Sequence, residues 1–394
     1  MVSEDNIDHA VKLEYEAIGL VHYVLSRKED SFEFFKMKVR SRAPLRLGIC
    51  GGGTDVSPYC DEHGGLVLNA TIDKYAYCTL DTDADDVKFE ATDLQISEAY
   101  SVSDFPNSSK QLKLHHAVYL YMIEKYNNGK LIPLKMTTSC DAPIGSGLGS
   151  SSTLVVAMIK AFDHLFKAAL DDYGIAREAF FVERVICGLN GGCQDQYAAA
   201  FGGFNLLDCR CGGNVVVNPL RISKEVLLEL ESSIVLYFTG VSRESAKIID
   251  EQKKNVVDSN KEALAALDNL KKETRIMKDA LLLGNFDCIV DSINRSWESK
   301  KKSASVISNE VINHAMNVAF NAGAKAGKVS GAGGGGFMLF IVQNEIRDRV
   351  LRELKALGGL TTTCHFTKSG VTSWEVRKGS KNEELYARNF AKFC

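Results

Sequence analysis

DAPIGSGLGSSSTLVVAM, residues 141–158, is the stretch on which the reading of this chain turns. Glycines stand at alternate positions 145, 147 and 149, three serines follow at 150–152, and an apolar helical run comes next. Glycine lets a backbone approach a ligand closely, and a helix start adds positive potential and free N–H groups, so such a loop suits phosphate. Two familiar phosphate loops are excluded. GxxxxGK followed by Ser or Thr needs a lysine where Ser150 follows Gly149, and GxGxxG has the wrong spacing. The candidate phosphate-binding residues are Pro143, Gly145, Ser146, Gly147, Leu148, Gly149, Ser150, Ser151 and Ser152. A serine hydroxyl here, Ser151 or Ser150, is also a hard oxygen ligand suited to Mg2+. Read alone, the loop also admits the lesser alternative of a tight strand-to-helix turn.

Working outward, LKMTTSC reads as the strand before the loop, and residues 151–168 as the helix after it, with serines placed to cap its N–H groups. VRSRAPLRLGI and LVLNATIDKYAYCTL read as earlier strands, residues 176–189 as a second helix, and FGGFNLLDCR as a strand pair or hairpin. Asn218-Pro219 marks a domain seam. Beyond it come the strand SIVLYFTG, helical stretches over 242–301 and 309–321, a glycine turn feeding a strand in GKVSGAGGGGFMLFIV, and the helix RDRVLRELKAL. The pattern is α+β in two halves, each carrying one glycine-rich loop.

Those halves are expected at 38–220 and 221–376. An amphipathic helical extension over 1–37 carries Ile7, Val11, Ile18, Val21 and Leu25 on one face, with Met37 as an alternative start, and a charged tail covers 377–394. In the late loop, Ser330 to Gly336, the glycines cost backbone entropy that a simple turn does not require. Close approach to something is the better explanation, and Gly331, Gly333 and Gly334 are candidate substrate contacts. Arg46, in the strand before GGGTDV, is a candidate anion-binding group, and Thr54 and Asp55 just beyond are candidate partners for a hydroxyl. Singly, such charges are commonest as solvated surface groups.

Composition excludes some classes. Apolar residues make up 45% and charged residues 25%, and the formal net charge is −3, so no bulk affinity for nucleic acid or anionic membrane is expected. Eleven scattered cysteines without a CxxC pair indicate neither a disulfide framework nor a zinc knuckle. An acidic N-terminus and the lack of a long apolar run point to a cytoplasmic protein. A homo-oligomer is open.

Taken together, the three glycine-rich pieces resemble the GHMP kinases (galactokinase, homoserine, mevalonate and phosphomevalonate kinases). PIGSGLGSSS is similar to that family's PxGxGLGSSA signature and KVSGAGGGG to its KxSGAGGGG signature, in the same order and separation. The likeness covers about 38–376. It implies a two-domain fold with a ribosomal protein S5 domain 2-like N-terminal half and a ferredoxin-like C-terminal half. APLRLGICGGGTDV aligns without gaps on a galactokinase-like APGRVNLIGEHTDY, matching Arg46, Thr54 and Asp55, while Gly52 and Gly53 replace a Glu-His pair and open the pocket. GGCQDQ resembles a galactokinase-like GIMDQ ending, which implies Asp195 as the catalytic aspartate, and Glu183 matches the family's Mg2+-binding glutamate.

Within the family, RSRAPLRLGICGGGTDVSPYCDEHGG, LNATIDKYAY, FTGVSRESAKII and FTKSGVTSWEV look like the heptose-phosphate branch. This implies ATP with Mg2+, and transfer of the γ-phosphate to the anomeric hydroxyl of a sugar phosphate, with Asp195 and Arg46 catalytic and Ser151 and Glu183 on the metal. The sugar's own phosphate needs a separate cationic cradle, for which Arg243 is the first choice and Lys247, Lys74 and His115/His116 the others. A free-sugar 1-kinase such as an L-fucokinase, and a non-catalytic ATP- or sugar-sensing relative, are the competing readings.

Overall fold

The computed structural model describes residues 36–143, 145–240 and 245–376. The expected N-terminal helix (1–35 of it), Arg243 and the tail at 377–394 lie outside them.

The first half is built on a long antiparallel pair, β1 (Lys38–Cys50) and β2 (Gly65–Asp81). Strands β3 (Val87–Ala91), β4 (Ile96–Tyr100), β5 (Leu134–Cys140), β6 (Phe204–Cys209) and β7 (Val215–Pro219) extend it. Strand β2 serves both sides because it is 17 residues long: its first part pairs with β6 and its last part with β5. The second half carries a smaller antiparallel sheet of β8 (Ile234–Phe238), β9 (Ala326–Val329), β10 (Phe337–Ile341) and β11 (Leu360–Thr362), in the order β11-β8-β10-β9. The chain then returns, and β12 (Thr372–Glu375) pairs with β1 at the edge of the first sheet.

Alternation on β1 explains how one strand faces two cores. Val39 and Ala43 pack with the buried faces of helices Lys113–Tyr126 and Ser150–Phe166, whereas Leu45, Leu47 and Ile49 join Leu236, Phe337, Leu339, Ile289 and Ile293 of the second half. The changeover falls at Pro44–Arg46, where the register with β2 shifts. Proline has no N–H for the ladder, and a bulge re-aims the residues beside it. The freed N–H of Arg46 donates to Leu148 O at 3.2 Å, which ties β1 to the phosphate loop.

Two elements differ from the sequence expectation. The late glycine loop joins two strands rather than feeding one, since AGKV forms β9, too short for its pattern to register. The expected helix over 176–189 starts earlier, at Asp172, and its regular part ends at Phe180. It passes into a π-helical turn over Phe181–Ile186, which holds Glu183 buried. Such turns insert a residue into a helix and re-aim the side chains that follow.

Candidate active site

The phosphate loop is as expected in backbone and different in its serines. Gly145, Gly147 and Gly149 have φ of 70°, 73° and 78°, the left-handed region that glycine adopts without strain. The helix Ser150–Phe166 has Gly149 as its N-cap and no side-chain capping bond. The serines therefore do not cap. Ser146 Oγ accepts from Leu148 N at 3.3 Å inside the loop, and Ser151 Oγ donates to Glu183 Oε1 at 2.9 Å. Ser152 Oγ accepts from Arg184 Nη2 (3.2 Å) and Gln196 Nε2 (3.3 Å). The first-turn N–H groups of a 17-residue helix are thus left without intrahelical or capping partners, as an anion site requires.

The late loop lies directly on the first. Phe337 N donates to Ser146 O at 2.7 Å and Ser330 Oγ to Gly147 O at 3.1 Å. A Cβ at Gly147 would stand 2.5 Å from Ser330 O, one at Gly331 2.7 Å from Gly147 O, and one at Gly336 2.6 Å from Ser146 O. Gly334 N donates to Ile307 O at 2.7 Å, and a Cβ at Gly333 would lie 2.9 Å from the same oxygen. The close approach inferred from the sequence is made to the other glycine loop and to Ile307.

Arg46 and Asp195 meet above this floor. Asp195 is the second residue of the helix Gln194–Phe201, whose N-cap is Cys193, so its carboxylate is not a cap. Asp195 Oδ1 accepts from Arg46 Nε at 2.6 Å and lies 2.5 Å from Nη2, while Nη1 donates to Gly147 O at 2.6 Å. A Cβ at Gly149 would be 3.0 Å from Asp195 Cγ, which sets the carboxylate over the last loop glycine. Asp55 is buried beside them and accepts from Gly53 N and Gln194 N, each at 3.1 Å. Burial raises its pKa, the two N–H groups oppose that, and the neighbouring Asp195 charge adds to the rise. Thr54 is turned away from this space. It is fully buried, and its hydroxyl bonds Gly51 O (2.8 Å) and Leu66 O and N (3.1 and 3.0 Å), fastening the glycine turn to β2.

Residues 113–203 match the family model of the GHMP kinase N-terminal domain, and residues 277–359 that of the C-terminal domain. The chain is 40% identical to D-glycero-alpha-D-manno-heptose 7-phosphate kinase of Campylobacter jejuni, over 86% of this chain and 99% of that protein. The chain belongs to the GHMP kinase family. A solved structure described as a D-glycero-D-manno-heptose 1-phosphate kinase from Bacteroides thetaiotaomicron is 39% identical, with a TM-score of 0.71, over 86% of this chain and all of that one. The bifunctional fucokinase/GDP-fucose pyrophosphorylase of Arabidopsis thaliana is 24% identical over 81% of this chain, which spans 31% of that protein. GHMP kinases use ATP. Among the described residues of this one, no helix is long and apolar enough to cross a membrane.

In this GHMP kinase Ser151 and Glu183, the two residues expected on the metal, are in hydrogen-bond contact. The π-helical turn brings the Glu183 carboxylate onto Ser151, and Gln196 Nε2 donates to Glu183 Oε2 at 2.7 Å. Gln196 Oε1, buried close by, has no partner among the described residues. Two hard oxygens at the foot of a phosphate loop fit Mg2+, which keeps waters and takes phosphate oxygens as its other ligands. Glu183→Gln is expected to raise the Mg2+ concentration needed for half-maximal turnover roughly 10–100-fold. A magnesium titration of initial rates checks this, and an unchanged requirement takes Glu183 off the cation.

The proposed histidine cradle is corrected. His115 and His116 are buried on the helix Lys113–Tyr126, where His115 Nε2 bonds Thr138 Oγ1 at 2.7 Å and His116 Nε2 the Pro106 carbonyl at 2.7 Å. Burial pulls both pKa values down, that of His115 to about 4, so neither is cationic near neutrality. The sequence reading also missed two cations at the site. Lys300 is buried beside Gly52 and Lys328 against the Ile49 carbonyl, with pKa values lowered to about 7 and about 8, chiefly by burial. Lys300 had a signal: it continues the buried stripe Ile289, Ile293, Trp297 at helical spacing, although ESKKKS reads as a solvated run.

Proposed function

We propose that this GHMP kinase transfers the γ-phosphate of ATP to the anomeric hydroxyl of D-glycero-α-D-manno-heptose 7-phosphate, giving the 1,7-bisphosphate. The observation that carries the reading is the Arg46–Asp195 pair held over the phosphate loop, in a chain 40% identical to the Campylobacter jejuni heptose 7-phosphate kinase along nearly its whole length. Segment 38–220 would supply the phosphate loop and Asp195, and segment 221–376 the loop that backs it.

Phosphoryl transfer needs positioning and charge neutralisation more than covalent chemistry. The loop at 145–152 and the helix start would hold the β- and γ-phosphates. Mg2+, held by Ser151 and Glu183, would neutralise phosphate charge. Asp195 accepts the proton of the anomeric hydroxyl as that oxygen bonds the γ-phosphorus and ADP leaves with the bridging oxygen. Arg46 fixes the Asp195 carboxylate against the Gly147 carbonyl and offers its remaining donors to the transferring group. Asp55 has lone pairs left to accept from a sugar hydroxyl. The sugar side is widened by Gly52 and Gly53, beside the Gln194 and Gln252 amides.

The Bacteroides structure favours a second reading, since its description names a heptose 1-phosphate kinase. A coupled ADP-release assay over heptose 7-phosphate, heptose 1-phosphate, free heptose and L-fucose separates the readings. Turnover of heptose 7-phosphate well above the rest is expected. Preference for L-fucose or free heptose makes the protein a free-sugar kinase, and ATP binding without turnover of any sugar makes it a sensor.

A further inference from the structure

Lys300 is a buried cation whose surroundings do not account for it. Its side chain projects from the helix Phe286–Lys301 into the site, and among the described residues the one hydrogen-bond partner of its ammonium is the carbonyl of Gly331. An ammonium carries three donors, and a buried charge with incomplete partners costs several kcal/mol. The charged and titratable groups facing it come from three directions. Arg46 and Cys50 lie on β1, Asp55 on the turn after it, and Lys328 on β9. Two of these are cations that repel it, and Asp55 already accepts two backbone N–H groups. Lys328 itself donates to Ile49 O at 2.8 Å.

The ammonium also lies against the glycine turn: a Cβ at Gly52 would be in van der Waals contact with Lys300 Nζ at 3.7 Å and would crowd Gln194 Nε2 at 3.3 Å, so only glycine lets the turn sit this close to both. The carbonyl that anchors Lys300 belongs to Gly331, whose backbone rests on Gly147 of the phosphate loop. That contact sets the ammonium one residue's contact away from the middle of the phosphate loop.

Resting on the kinase reading, we propose that Lys300 is the lysine the phosphate loop lacks in sequence: it binds the terminal phosphoryl group of the nucleotide from the opposite half of the molecule. No bond to Lys300 forms or breaks in this role. It carries charge to the phosphoryl oxygens that Arg46, engaged by Asp195 and Gly147, covers only in part.

The sign of the linkage is fixed. A lysine that titrates near neutrality when empty gains a proton when an anion binds it, so nucleotide affinity weakens as pH rises above the free-protein value of about 7. The test is calorimetry without sugar, with Mg2+ and either ATPγS or ADP, in two buffers of different ionisation enthalpy at about pH 8. The wild type is expected to take up close to one proton with ATPγS and little with ADP, and Lys300→Met to take up none. In turnover, Lys300→Met is expected to lose kcat on the order of 10²-fold, with partial rescue by Lys300→Arg. Its thermal midpoint should hold or rise, because a desolvated charge is removed.

Equal uptake with ADP and ATPγS, no uptake by the wild type, uptake unchanged in Lys300→Met, or a kcat near wild type overturns the proposal. A raised KM for the sugar phosphate at unchanged kcat also overturns it, by moving Lys300 to the sugar's own phosphate. The calorimetric arm contains no sugar, so a wrong heptose assignment leaves it intact.

Discussion

Asp195→Asn lowers kcat by roughly 10²–10⁴-fold, the range for losing a positioned proton acceptor. The substitution keeps the shape of the side chain and its place in the first turn of Gln194–Phe201, and Asn still presents an oxygen to Arg46 Nε. What disappears is the acceptor for the anomeric proton and the charge opposite the guanidinium. The loss is therefore expected in kcat, with nucleotide affinity held by the loop 145–152, and a lowered thermal midpoint because the buried Arg46 charge loses its counter-ion while keeping a hydrogen bond. Steady-state kinetics beside a melting curve separate these effects. If Asp195→Asn turns over at the wild-type rate, the proton leaves by another route.

Arg46→Lys is expected to cost nearly as much despite keeping the charge. The guanidinium makes three engagements at once, with Asp195, the Gly147 carbonyl and, more loosely, Ser330 Oγ at 3.4 Å. A lysine ammonium cannot reproduce that planar fork. Arginines that neutralise a transferring phosphoryl group are worth about 10³–10⁵ in rate, and the loss here should approach the lower end because a cation remains. Arg46→Ala goes further, leaving Asp195 unpaired beside the loop. Breaking a buried pair from one side costs about 3–5 kcal/mol, discounted because the Asp195 side chain is 18% exposed. The melting midpoint should fall for Arg46→Ala and much less for Arg46→Lys. Equal kcat values for Arg46→Lys and wild type would reduce Arg46 to a structural tie.

Much of this site was legible because its chemistry is local in sequence. PIGSGLGSSS states its backbone through its glycines, and LKMTTSC and the long strand LVLNATIDKYAYCTL coincide with β5 and with most of β2. Glu183 and Asp195 were reached through resemblance, since a lone acid on a helix is commonest as a solvated residue. The structure gives the physical reason for the first, a π-helical turn that no periodicity announces. Less legible was what depends on distant packing. Thr54 and Ser152 carry the right chemistry for a ligand, yet their hydroxyls are taken up by Leu66 and by Arg184 and Gln196. The glycines of the late loop read as substrate contacts, while their tightness comes from a floor nearly two hundred residues earlier. Lys300 was hidden by its own neighbours, two further lysines that carry the run on to the end of the helix and beyond.

Anomeric phosphoryl transfer centred on Arg46 and Asp195 is decided by phosphorus NMR of the reaction with ATP, Mg2+ and heptose 7-phosphate. A new phosphate-ester signal coupled to the anomeric proton is expected, with the original ester signal retained and ADP appearing in equal amount. A new ester coupled to any other proton, or ATP loss without a new sugar ester, would contradict it.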